Sequence, residues 1–122
     1  MSSDLTLVIF VNTDLLHDSG SRAAQAVHVT HEMTVTLERA NYEPKPDQDL
    51  CMRYEKWRIQ PRLLIYRATM QELEKLATMP ETTHFKDDLK GKDGKIEHIG
   101  VLTSVCFYPG AKIPDVKSYK LL

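Results

Sequence analysis

The chain has 122 residues and a mass near 14.0 kDa, enough for one domain and too little for two. Hydrophobic residues at 42% and charged residues at 27% exclude wholesale disorder, and a net charge of -1 excludes a histone-like or ribosomal basic tail. Any nucleic-acid site must therefore be a local patch. Two cysteines, Cys51 and Cys106, are too few for a secreted disulfide framework, so a reduced, cytoplasmic setting is expected. The longest apolar run near the start, Leu7 to Val11, is far too short to span a bilayer and has neither the basic flank nor the cleavage site of a secretory signal. A soluble intracellular protein with no membrane association is the expectation.

In chain order, Leu5 to Val11 is a nearly unbroken apolar, β-branched run, the pattern of a strand buried on both faces. Asn12-Thr13-Asp14 ends it, and Asp18-Ser19-Gly20-Ser21 offers turn and helix-capping chemistry. From Ser21 to Ala40 the period changes: Ala26, Val29, Met33, Leu37 and Ala40 recur at intervals of three and four, which places them on one helical face. Asn41 to Leu50, with Pro44 and Pro46, reads as a connecting loop. Arg62 to Tyr66 is a second apolar strand. Thr69 and Glu72 then form a capping box for a helix through Leu73, Leu76 and Ala77 that must stop before Pro80. Thr83 to Lys86 suits a short strand, Leu89 to Lys95 a charged turn, and Ile99 to Tyr108 a third strong strand. Pro114 suits the first turn of a short C-terminal helix. No internal repeat is present. Two strand-helix-strand units imply an α/β fold with a mixed sheet covered by helices.

The long helix is the informative element for chemistry. At 100° per residue, Ser21, Gln25, His28 and Glu32 gather on the face away from the apolar stripe. His28 is then either an exposed histidine without a task or a functional one, and Gln25 alone is a common helix former. His31-Glu32 has no second histidine at zincin spacing and there is no paired C-x-x-C, so no metal site is expected. Nucleotide-binding glycine loops and a G-x-S-x-G elbow are absent as well, and no cofactor is implied. Cys106, between Val105 and Phe107, reads as a small core residue. Arg53, Lys56, Arg58, Arg62 and Arg67 are interleaved with Tyr54, Trp57 and Tyr66. That mixture suits phosphate contacts and base stacking, and equally suits a solvated strand edge.

Taken together, these pieces resemble the type 2 peptidyl-tRNA hydrolase family of archaea and eukaryotes, and most of all its divergent eukaryotic branch of peptidyl-tRNA hydrolase domain-containing proteins. The likeness rests on Thr13-Asp14-Leu15 after the first strand, on Ala23-Ala24-Gln25-Ala26-Val27-His28, and on Gln60-Pro61-Arg62-Leu63-Leu64-Ile65. Val101 to Gly110 and Val116 to Leu122 extend it across the chain; Ala-Ala-Gln-x-x-His is its specific part.

The resemblance implies a single three-layer α/β domain over residues 1–122, with a mixed, roughly four-stranded sheet. It also implies hydrolysis of the ester joining a peptide to the 3′ end of tRNA, with tRNA or peptidyl-tRNA as partner. On that reading His28 orients or activates water, Gln25 positions, Asp93 assists and Thr103 hydrogen-bonds near the scissile ester. Asp14, Ser21, Arg22, Arg53, Arg58 and Arg62 would bind substrate. Serines stand at Asp18-Ser19-Gly20-Ser21 where the family carries lysines, and the arginine-threonine pair expected after Asp93-Gly94 is absent. The alternative is a catalytically silent member of the fold that binds RNA or a protein. Oligomeric state, a homodimer included, is left open.

Overall fold

The computed structural model describes residues 5–122. The first apolar run forms β1 (Leu7–Asn12), and all six of its residues are buried. Helix α1 (Ser19–Ala40) follows, then α2 (Gln48–Ile59), β2 (Leu63–Ala68), α3 (Met70–Leu76), β3 (Thr82–Lys90) and β4 (Ile96–Phe107). The strands make one sheet in the order β2-β1-β4-β3. β1 and β2 are parallel, from Leu7 opposite Leu63 to Asn12 opposite Ala68, while β4 runs antiparallel to both β1 and β3. β2 and β3 therefore point the same way, and α1 and α3 each sit in a connection between strands of like direction. The fold is α/β with a mixed four-stranded sheet, as the sequence implies.

Strand alternation divides the interior into two cores. Leu7, Ile9 and Val11 face Ala26, Val29, Met33 and Leu37 of α1 and Tyr54 and Trp57 of α2. Val8 and Phe10 face the opposite way, onto Leu73 and Leu76 of α3 with Ala68, Val105 and Phe107. These two cores bury β1 on both faces and make the domain three-layered. Truncating Leu37 to alanine removes a side chain only 2% exposed; the expected cost is about 2–4 kcal/mol, measured by denaturant unfolding.

Two expectations are corrected here. The stretch read as loop to Leu50 is helical from Gln48: Asp47 caps α2 by accepting a hydrogen bond from the Leu50 amide at 3.1 Å, and Leu50, Tyr54 and Trp57 recur at helical spacing on its inner face. The basic-aromatic segment is therefore helix as far as Ile59 and strand from Leu63. No helix follows Pro114. A single turn closes between Val116 and Tyr119, and the chain then pairs along the outer edge of β2. There Arg67 N donates to Lys120 O at 2.8 Å and Leu122 N to Ile65 O at 2.9 Å. Edge pairing satisfies backbone groups of both segments, an outcome that local propensity does not report. No helix among the described residues is long and apolar enough to cross a membrane.

β3 and β4 form a hairpin closed between Gly91 and Lys95, with Gly94 at φ +78°. β3 runs four residues past the expected Lys86. The far end of the hairpin, residues 92–100, is exposed throughout, so it stands clear of both cores.

Candidate active-site cleft

The start of α1 and the β3–β4 hairpin enclose a cleft of about 940 Å³. Ser21, Gln25 and His28 line it from the helix; Asp87, Asp88, Lys90, Lys92, Asp93 and His98 line it from the hairpin, with His17 at the entrance to α1. Four of the expected site residues, Ser21, Gln25, His28 and Asp93, thus share one cavity although Asp93 is far from the others in sequence.

Asp18 caps α1 in extended backbone, its Oδ1 accepting from the Ser21 amide at 2.7 Å and its Oδ2 from the Ser21 hydroxyl at 2.9 Å. The backbone bond, then the hydroxyl bond, hold the Asp18 carboxyl below the usual aspartate value. Ser21 spends its only hydroxyl proton on that cap. Arg22 donates from Nε to the Leu16 carbonyl at 2.8 Å, which ties the β1–α1 loop to the helix. Asp14 lies outside the cleft lining, accepting from the Met70 amide at 2.8 Å at the start of α3. Both residues hold loops together here.

Gln25 departs from the expected geometry. It is only 5% exposed, on the flank of α1 that overlies β3 and β4. A helical wheel measures angle from the apolar stripe, but a sheet wider than one strand reaches round to that flank. Gln25 Nε2 donates to Asp87 Oδ2 at 2.9 Å, and Gln25 Oε1 accepts from the Thr103 hydroxyl at 2.6 Å. The orientation of the amide follows from its partners: a flipped Gln25 would set its carbonyl oxygen against the Asp87 carboxylate. Ser104 Oγ adds a bond of 3.1 Å to the Gln25 carbonyl. Thr103 is fully buried, so it cannot contact an ester directly; its hydroxyl acts on Gln25. This corrects its expected place beside the scissile bond.

His28 is exposed and stacks on Phe85 of β3, with ring centroids 4.9 Å apart and planes 19° from parallel. The stack fixes the plane of the imidazole, and His28 lines the cleft. Among the described residues no group of three or more His, Cys, Asp or Glu is arranged to hold a metal ion. Burial pushes the Cys106 thiol far above its ordinary pKa, which removes it as a nucleophile.

Besides Asp14 and Arg22, three more residues expected to bind substrate lie outside the cleft lining. Arg53 bonds Asp49 Oδ2 at 3.0 Å, Glu81 Oε2 at 2.6 Å and the Pro109 carbonyl at 2.6 Å. Partial burial opposes its charge, but Glu81 and then Asp49 outweigh that and raise its pKa. Arg58 pairs with Glu55 at 2.8 Å. Arg62 is exposed, and its carbonyl accepts from Trp57 Nε1 at 3.1 Å. Arg53 and Arg58 find carboxylates one turn earlier in the same helix, at Asp49 and Glu55, which the count of arginines concealed.

No protein-family model matches the chain, and no curated protein is similar enough in sequence to count as a match.

Proposed function

We propose that this protein hydrolyses the ester between a peptide and the 3′ end of tRNA in the cytoplasm. The observation that carries this reading is the meeting of His28 with the Asp87–Gln25–Thr103 network and Asp93 in one open cleft. An ester carbonyl seated beside Gln25 would place water within reach of the His28 edge. His28 takes a proton as the water oxygen bonds the carbonyl carbon; the carbon–oxygen bond to the ribose breaks, and the proton passes to the departing 3′ oxygen. The products are a tRNA with its 3′ hydroxyl restored and a peptide carboxylic acid, which loses water's remaining proton to solvent to become the carboxylate. Asp87, rather than Asp93, is the carboxylate that fixes Gln25.

The test is peptide release from peptidyl-tRNA by the full chain beside His28→Ala. Removing the base is expected to lower the rate by about 100-fold or more; equal, buffer-level rates for both proteins would sink the reading. One observation favours the second reading, a binding domain without catalysis. The cleft lining carries five carboxylates, Asp18, Asp87, Asp88, Asp93 and Glu97, against two lysines. A resting polyphosphate gains little from such a surface.

A further inference from the structure

A general base works best when its ring is held in one orientation, and a histidine side chain turns about two bonds. Rotation about Cβ–Cγ swings the plane of the imidazole, so a contact on the face of the ring fixes that rotation apart from a half-turn. Gln25 is held at both ends, its amide nitrogen by Asp87 and its amide oxygen by Thr103. His28 has no such anchor. It is exposed, and among the described residues its side chain makes no hydrogen bond or ion pair. What it has is the Phe85 ring, stacked at 4.9 Å between centroids with the planes 19° from parallel.

The strand that supplies Phe85 also supplies Asp87. Strand residues two apart share a face and lie roughly 6.8 Å apart, while helix residues three apart rise about 4.5 Å. One stretch of β3 therefore reaches both side chains of α1, Phe85 meeting His28 and Asp87 meeting Gln25. Phe85 is itself well held. Its side chain is partly buried against the core beneath α1, and its carbonyl accepts from the Thr103 hydroxyl at 3.2 Å. Thr103 shares that proton with Gln25 Oε1 at 2.6 Å, which ties the backbone under the stack to the amide beside it. A stack that only covers an apolar ring would matter to stability and not to rate, so the two roles separate experimentally.

We infer that Phe85 is a positioning residue: its stack on His28 holds the imidazole in the plane from which that base takes the proton of water. The inference rests on the ester-hydrolase reading above. Phe85 does not line the cleft, so it acts through His28 and not on the substrate. It removes in advance a rotation that the ring would otherwise have to lose on reaching the transition state. Its effect therefore falls on kcat and leaves ground-state binding nearly unchanged.

The experiment joins steady-state peptide release from peptidyl-tRNA to the proton resonances of the His28 ring, with circular dichroism to confirm folding. The proteins are the wild-type chain, Phe85→Leu, Phe85→Tyr, His28→Ala, and Phe85→Leu combined with His28→Ala. Leucine keeps apolar packing and deletes the ring. Phe85→Leu is expected to lose about 10-fold in kcat with little change in KM. Its His28 resonances should also lose the upfield shift that a stacked ring imposes. Phe85→Tyr keeps the ring and should keep both rate and shift, and in the His28→Ala background Phe85→Leu should cost nothing further. A folded Phe85→Leu protein with the wild-type kcat overturns the inference alone. So does a loss confined to KM, a Phe85→Tyr protein as slow as Phe85→Leu, or a loss that persists in full without His28. Wild-type His28 resonances without the upfield shift overturn it too, whether or not the leucine variant folds. A wild-type chain that releases no peptide overturns the ester-hydrolase reading and this inference together.

Discussion

An Arg53→Met protein is expected to unfold with about 2–3 kcal/mol less stability than wild type, while its affinity for RNA stays unchanged. The side chain is 16% exposed and fastens three segments: Asp49 one turn earlier in α2, Glu81 just before β3, and the carbonyl of Pro109 after β4. Glu81 sits at φ +56°, a conformation that costs a non-glycine residue free energy and persists because its neighbours hold it. Arg53 is one of those holds; the Tyr108 amide, donating to the Glu81 carbonyl at 2.9 Å, is another. Methionine keeps most of the packing volume, so the measured loss reports the polar contacts. Denaturant unfolding gives the first quantity and the salt dependence of tRNA binding the second. A flattened slope of log affinity against log salt would return Arg53 to the phosphate-binding role its sequence context suggests.

That example shows what the sequence does and does not disclose. β1 and α1 were legible because their periods are long and unmixed, and the Thr69–Glu72 capping box is present as read, with both of its bonds formed. The spacing of Leu50, Tyr54 and Trp57 behind Asp47 carried the signal for α2, but Pro44 and Pro46 and the basic residues drew attention to loop and phosphate chemistry instead. For the cleft, the α1 half could be read from one helix. Its hairpin half could not. Asp87 meets Gln25 across 62 residues of chain, a contact that no local pattern encodes. His17 and His98 give no local signal for the same reason: each stands alone in sequence, and only the fold brings both to the cleft.

The buried Thr103–Gln25 pair yields the second large effect. Thr103→Val keeps the shape of the side chain and removes its hydroxyl, leaving Gln25 Oε1 without the 2.6 Å donor on which its buried amide depends. The expected cost is about 1–3 kcal/mol in stability. Hydrolysis should fall as well, since an amide held only by Asp87 can rotate away from the carbonyl it positions. Thr103→Ser, which restores the hydroxyl, should recover most of the activity, although it leaves a methyl-sized gap. A double-mutant cycle separates positioning from direct contact. If Thr103 acts through Gln25, then adding Thr103→Val to Gln25→Leu costs little further activity, and the two stability losses couple by about 1–2 kcal/mol. Independent, additive losses would mean that Thr103 touches the substrate itself, and that the cleft opens more deeply between α1 and β4 than its closed packing indicates.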